Sequence, residues 1–405
     1  MSKLISNEIG QFAVKLFIVL QLVLLVSWFL GSAFFPLGRN FLGSSLNDHA
    51  SQPLIWSRAN FDGEHYTQIA AGGYGQHEQA FFPAYPRLIG LFQPFIHSFI
   101  LSGVFISSSF FLLSLWLLAI LLKDTGENEQ TIKKCLLWLV VFPGSFYFVS
   151  VYTESMFLFL ALLAFYFARK KNWLLAGLVA GLASATRFVG IFLLPALLFE
   201  YYETVSKRGM AERLSVAKER VKKFSFSYLT HLFKSRWAHV KNTFFILLSS
   251  WGLLAYGSWL NKTVGDFFYF IKVQPEFGAQ RTVNRITMIY QVFWRYLKMI
   301  VTVDVTNPIY LTIWLEVLTA ILFLILLILG WWKLKIHRSW LVFATLAYVL
   351  PPLTGTFSSM PRYILICFPC FLVLAKLKLP RWLYLLSFLL LLLCCSLFLC
   401  GYWIA

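Results

Sequence analysis

Charge is scarce in this chain. Of its 405 residues only 13% are Asp, Glu, Lys or Arg, where a soluble domain uses roughly 25% to hydrate its surface. Lipid is the solvent that suits such a composition. Acidic residues are the rarer sign, 17 against 35 Lys and Arg, for a formal net charge of +18. A basic excess serves nucleic acid only from a soluble basic face. Here the basic residues fall between apolar runs, the positive-inside pattern of membrane proteins, so no nucleic-acid partner is expected. The six cysteines supply no disulfide or metal framework. Cys135, Cys367, Cys370, Cys394, Cys395 and Cys400 lie in or beside apolar runs, and the CxxC of Cys367 and Cys370 has no second pair. Other absences are as informative. No Rossmann-like segment exists to bind a soluble nucleotide sugar, no HExxH is present, and no internal repeat of the transporter kind is found. The first apolar run, near 12–35, is too long for a signal h-region and is expected to remain as a signal anchor.

What is there is apolar and aromatic, 59% and 19% of the chain. A span needs about 20 apolar residues, fewer where a segment is buried in a bundle. On that scale the pattern predicts an all-α polytopic membrane protein of about eleven helices, a single membrane-embedded domain over 1–405. The helices fall roughly at 12–35, 98–122, 135–151, 154–168, 173–186, 188–203, 243–260, 309–332, 339–352, 361–376 and 382–404. With the N-terminus in the cytoplasm, the cytoplasmic gaps at 123–134, 169–171, 204–241, 333–338 and 376–381, together with Lys3, collect 23 of the 35 Lys and Arg. That asymmetry sets the orientation. The largest gap, 204–241, is partly helical in spacing and basic, as suits a loop lying on anionic headgroups.

The opposite face receives two long gaps, about 36–97 and 261–308, and shorter ones at Tyr152–Glu154 and Pro351–Arg362. Few charges lie there, in compact mixed groups, among aromatics. Polar residues gathered on one membrane face mark a site. The densest stretch is NFDGEHYTQIAAGGYGQHEQAFFPAYP, residues 60–86. Gly63 after Asp62 allows close backbone approach or a positive φ. Tyr66–Ala71 suits a short helix, with Gly72, Gly73 and Gly75 to end it. An isolated Asp-Gly would read as a helix cap. Here Asp62, Glu64, His65, His77 and Glu78 fall within one loop, and a carboxylate at a loop–helix junction below a bilayer surface is well placed as a general base. The same five residues carry oxygen and nitrogen donors, so a divalent cation is an option the loop leaves open, though no cofactor is required.

FDGEHYTQIAAGGY…QAFFPAYP resembles the WDG-x-x-Y…IA-x-x-GY…AFFPLYP signature of the PIG-V-like family, GPI mannosyltransferase 2 and its prokaryotic relatives. YTES at 152–155, SATRFVGIFLLP at 184–195, GDFFYFIKVQ at 265–274 and MPRY at 360–363 are similar to that family's later blocks, in order. Phe61 stands where the family has Trp. The resemblance covers most of the chain, the basic loop and last helix excepted. It implies a GT-C glycosyltransferase bundle, a mannosyltransferase in the family's terms, taking a polyprenyl- or dolichyl-phosphate sugar to a glycolipid or glycan acceptor on the non-cytoplasmic face.

Such a donor carries its own leaving group, so the protein has to activate an acceptor hydroxyl and stabilise charge on the departing phosphate. By the resemblance Asp62 is the base. Arg187 and Arg362, at the outer ends of separate spans, are expected to grip phosphate oxygens with planar guanidinium forks, with Arg281 as a third. Arg187 between Thr186 and Phe188 has poor access to water, which favours a buried partner over snorkelling; Glu154 is that partner or a helix cap. Glu64, His65, Tyr66 and Gln274 complete the expected substrate-binding set. Membrane lipids are the surroundings, in the bacterial inner membrane on compactness, with the endoplasmic reticulum as the other option. The competing class is a transporter or flippase of lipid-linked saccharides, which would place ionisable residues at the midplane.

Overall fold

A computed structural model describes residues 7–38, 49–218, 239–278, 281–282, 286–307 and 309–404, without the side chains of 207–218. Most of the 204–241 loop lies outside the described residues. Every regular element described is helical. In chain order the longer ones are α1 (Asn7–Phe34), α2 (Asp62–Gly72), α3 (Ala84–Ile96), α4 (Phe99–Asp124), α5 (Glu129–Val141), α6 (Glu154–Arg169), α7 (Trp173–Ser184), α8 (Leu193–Lys218), α9 (Trp251–Val264), α10 (Ile289–Thr302), α11 (Ile309–Trp332), α12 (Arg338–Val349), α13 (Phe368–Lys376) and α14 (Trp382–Leu399).

Six helical stretches are long and apolar enough to cross a membrane: Asn7–Phe34, Phe99–Asp124, Phe188–Ser206, His239–Val264, Ile309–Trp332 and Trp382–Leu399. The chain is thus a helical protein built for a bilayer. A helix also lies at each of the other five expected positions, but these are shorter. Most of α6 is buried, Phe157, Leu158, Ala161 and Leu162 among its core residues. A helix that is apolar all round and enclosed by others does not need full span length to be satisfied.

Two expected helices are broken, for identifiable reasons. The one read at 135–151 stops at Val141, because Phe142 precedes Pro143 and takes an extended conformation (ψ 140°) before a 3-10 turn at Ser145–Val149. The one read at 361–376 begins as the short helix Met360–Tyr363, tightens at Ile364–Ile366, and restarts as α13 with a proline in its first turn. That break leaves Arg362 on a turn at the bundle's end. The gap read at 36–97 is itself largely helical, holding α2 and α3, and the gap read at 261–308 holds α10.

Close helix contact is made through small residues. Gly177 and Gly181 of α7 face the His239–Val264 helix, where the Leu253 amide donates to Ser184 Oγ at 3.1 Å and Trp251 Nε1 to the Leu178 carbonyl at 3.0 Å. A Cβ on Gly252 would overlap the Gly181 carbonyl. Without a hydrophobic force between helices in lipid, backbone approach of this kind is a main source of association.

The basic gaps gather at one end of the bundle. Arg169 and Lys170 bridge to Asp124 (2.7 and 2.8 Å), Lys376 to Glu127 (2.5 Å), and Lys133 to Glu8 (3.2 Å). The acidic loop, Arg187, Arg281 and Arg362 lie at the other.

Candidate functional site

Asp62 is not a helix cap. It is the first residue of α2; the cap position belongs to Phe61, and no side chain caps the helix. Phe61 adopts φ 60°, ψ −117°, a conformation costly for a residue with a Cβ. Its surroundings impose it. The Phe61 ring packs edge-on to Trp403 (5.0 Å) and against Phe398, Asn60 Nδ2 donates to the Phe398 carbonyl at 2.8 Å, and the Tyr152 hydroxyl donates to the Asn60 carbonyl at 2.7 Å. Gly63 then lets the start of α2 run along the 150–152 segment, since a Cβ there would stand 3.2 Å from the Val151 carbonyl. Strain of about 1–3 kcal/mol, held by packing on both sides, aims the Asp62 carboxylate away from its own helix.

It is aimed at Arg362. Arg362 Nη1 donates to Asp62 Oδ2 at 2.5 Å, and Arg362 Nε lies 3.6 Å from Glu154 Oε1. The same Glu154 oxygen receives Arg187 Nη1 at 2.5 Å. Glu154, too, is the first residue of its helix and caps nothing: Thr153 holds the cap position without a side-chain bond. Arg281 joins through Tyr363, whose hydroxyl accepts from Arg281 Nη2 at 3.3 Å and from Arg362 Nη2 at 3.5 Å; Arg281 Nη1 donates to Gln274 Oε1 at 3.1 Å. The faces of Tyr363, Tyr152, Tyr147 and Trp403 lie 5.1 to 5.9 Å from the Arg362 guanidinium carbon. A cation enclosed by ring faces is partly compensated for lost water. Two buried atoms of the cluster, Glu154 Oε2 and Arg362 Nε, have no hydrogen-bond partner among the described residues. Burial pushes the Asp62 carboxyl up, but the Arg362 guanidinium beside it, helped by Arg281, holds it below the usual carboxylate range.

These side chains line one end of a cavity of about 1200 Å³. Its lining also holds Gln76, His77 and Glu276, the polar Arg295, Thr312 and Glu316, and the apolar Met299, Ile309, Ile313, Ala347 and Leu350. Ile286 and Ile309, which also line the cavity, are exposed. The cavity thus joins charged groups and apolar side chains in one lining.

Comparison with protein-family models, with curated proteins and with solved structures found no match to this chain.

Of the residues expected to bind substrate, His65, Tyr66, Glu154, Arg187, Gln274, Arg281 and Arg362 line this cavity with Asp62; Glu64 does not. Glu64 is buried behind α2, where its Oε1 accepts from Gln68 at 2.9 Å. Among the described residues no group of three or more His, Cys, Asp or Glu converges as a metal site. The five donors of the loop are instead divided. Asp62 is on Arg362, Glu64 on Gln68, and His65 Nδ1 lies 3.0 Å from Glu78 Oε1. The other Glu78 oxygen accepts the Gly75 amide at 2.7 Å. The six cysteines are buried and unpaired.

Some cavity residues escape sequence reasoning. Tyr363, which joins two of the arginines, stands beside Arg362 in MPRY, and that adjacency was its only signal. Glu316 sits inside the apolar run of α11, where it accepts the Tyr296 hydroxyl (2.5 Å) and the Ser359 amide (3.1 Å). Ser359 has φ 66° and opens the turn that carries Arg362. A lone carboxylate in an apolar helix is itself a signal, since it persists only where it is paired or functional.

Proposed function

We propose that this protein is a GT-C-type glycosyltransferase of the PIG-V-like family, a mannosyltransferase by that resemblance. Its donor is a polyprenyl- or dolichyl-phosphate sugar and its acceptor a glycolipid or glycan on the non-cytoplasmic face. The reading includes an eleven-span bundle and, as host, the bacterial inner membrane. One observation carries it. Asp62, Glu154, Arg187, Arg281 and Arg362 come from five separate blocks of the sequence and meet at one end of one cavity.

Three guanidinium groups face two carboxylates there, which leaves an excess positive charge suited to a phosphodiester. The orphaned Arg362 Nε is a donor waiting for an oxygen. In the reaction the acceptor hydroxyl gives its proton to the Asp62 carboxylate as its oxygen bonds to the anomeric carbon. The bond from that carbon to the phosphate oxygen breaks, and its electron pair leaves with the lipid phosphate. The added negative charge is met by Arg187 and Arg362, where preorganised donors count most. Because Arg362 holds Asp62 in the resting protein, donor phosphate and Asp62 compete for one guanidinium. Donor binding then weakens the hold on the carboxylate and makes it a better base, which couples acceptor activation to donor occupancy. The apolar residues of the lining, Met299, Ile309, Ile313, Ala347 and Leu350, suit the start of an isoprenoid chain.

The test is incubation of purified protein with a small panel of polyprenyl-phosphate sugars, with consumption of each donor measured against an Asp62→Asn control. Consumption of one donor above that control supports the reading. No donor consumed above control removes it.

A further inference from the structure

The acceptor end of the cavity carries a second feature that donor chemistry does not use. Asp62 and His65 are three residues apart on α2, so their side chains rise from one face a turn apart. Both line the cavity. Asp62 Oδ2 is taken by Arg362, while Oδ1 has no hydrogen-bond partner among the described residues. The His65 ring is fixed on three sides. It stacks on Phe81 at 4.9 Å, meets Phe277 edge-on at 5.5 Å, and places Nδ1 3.0 Å from Glu78 Oε1.

Glu78 is buried, and its second oxygen is held by the Gly75 amide. With Nδ1 donating to the Glu78 carboxylate, Nε2 is the ring nitrogen left to accept. That nitrogen has no partner among the described residues. Two acceptor atoms with no donor supplied to either thus belong to one face of the first turn of α2 and to one cavity.

We propose that Asp62 and the His65–Glu78 pair together read two neighbouring hydroxyl groups of the acceptor. The attacking hydroxyl donates to Asp62 Oδ1 and the adjacent one to His65 Nε2. The acceptor class is then a vicinal diol, and a lone alcohol pairs with only one of the two acceptors, so it binds with one hydrogen bond fewer. His65 is a specificity-determining residue that touches the acceptor; Glu78 is a positioning residue that sets the tautomer. This rests on the glycosyltransferase reading for what happens to the diol, but its binding chemistry is testable without turnover.

The experiment uses full-length protein in lipid nanodiscs with ¹⁵N-labelled histidine, the His65 signals being assigned by their loss in His65→Gln. The probes are 1-O-octylglycerol, a vicinal diol, 3-octyloxypropan-1-ol, which has one hydroxyl, and 2-octyloxyethylamine. In the resting protein the His65 Nδ1 is expected to be protonated and Nε2 bare. The diol should shift Nε2 with half-saturation about tenfold below that of the single alcohol, the factor set by one hydrogen bond. Glu78→Gln should shrink that preference with an unchanged melting temperature, a split that a merely structural role would not give. Equal response to diol and alcohol, response to the amine alone, no response to any probe, or a protonated Nε2 each overturns the proposal. Donor consumption by wild-type protein, scored separately, tells failure of this inference from failure of the glycosyltransferase reading.

Discussion

Arg362 Nη1 reaches Asp62 Oδ2 at 2.5 Å across 300 residues of sequence. The contact separates two roles that the sequence left side by side. A capping aspartate would turn back onto its own helix, and Asn would replace it at little cost. This one turns outward to a cation. Asp62→Asn keeps the size of the side chain but loses its charge and proton affinity. Sugar transfer is expected to fall about 100- to 10,000-fold, the usual cost of losing a general base. Donor consumption at matched protein level checks it. Glu64→Gln is the control, since Glu64 lies off the cavity, and it should retain transfer within a few-fold. Near-normal transfer by Asp62→Asn would remove the catalytic assignment.

Glu154 Oε1 is shared by Arg187 and Arg362, so the two guanidinium groups are set by one carboxylate. Arg187→Lys and Arg362→Lys keep the charge but lose the planar fork. Each is expected to raise the donor KM and lower turnover, by more than any fall in protein abundance, when donor concentration is varied at saturating acceptor. Unchanged kinetics in both variants would return these arginines to a structural role.

How much of this was legible beforehand follows from where information sits in a membrane sequence. Long apolar runs such as α1, α4, α11 and α14 are unmistakable, because lipid demands them. Proline breaks at Pro143 and Pro369 shortened two expected helices, and periodicity alone does not weigh a proline in a buried run. Asp62, Glu154, Arg187 and Arg362 stand out as rare charges at apolar boundaries. Their pairing does not, because it depends on how helices cross, which no local pattern encodes. Helix α10 was passed over inside a gap, its apolar stripe being interrupted by Arg295 and Lys298. Phe61 gave no hint of its positive φ, which its neighbours Trp403 and Phe398 impose.

The orientation drawn from basic residues has a direct check. All six native cysteines are buried, so single introduced cysteines should label against a quiet background. Lys171→Cys, at the basic end, is expected to react with an impermeant maleimide only from the cytoplasmic side. Gln76→Cys, in the cavity lining, should react only from the other. Both labelling from one side would overturn the topology.

Gly252 sets a stability expectation that is independent of function. A Cβ there overlaps the Gly181 carbonyl and would lie 2.6 Å from the Ala185 amide nitrogen, both backbone atoms with little freedom to move. Gly252→Ala therefore has to push two helices apart. Overpacking costs typically about 1–3 kcal/mol, so the melting temperature in detergent should drop clearly. Gly10→Ala, where nothing lies within 4 Å, is the control and should leave it unchanged.

Helix α10 points to where the cavity meets lipid. Its inner face presents Val292 and Tyr296 to the bundle, while Tyr290, Trp294, Leu297 and Val301 are exposed on the other side, with Lys298 Nζ 5.5 Å over the Trp294 ring. An apolar face rimmed by a basic residue and a tryptophan is the pattern of a helix lying in the membrane interface. Its inner residues Tyr296 and Met299 also line the cavity, so the same helix forms part of the cavity wall. An environment-sensitive bimane attached at Trp294→Cys should emit at shorter wavelength in nanodiscs than in detergent-free polymer belts. Lipids brominated near the headgroup should quench it more strongly than lipids brominated at the chain ends. Equal quenching by both would place the face deep in hydrocarbon, and no quenching by either would place it in water. Either result would remove α10 as an interfacial wall of the cavity.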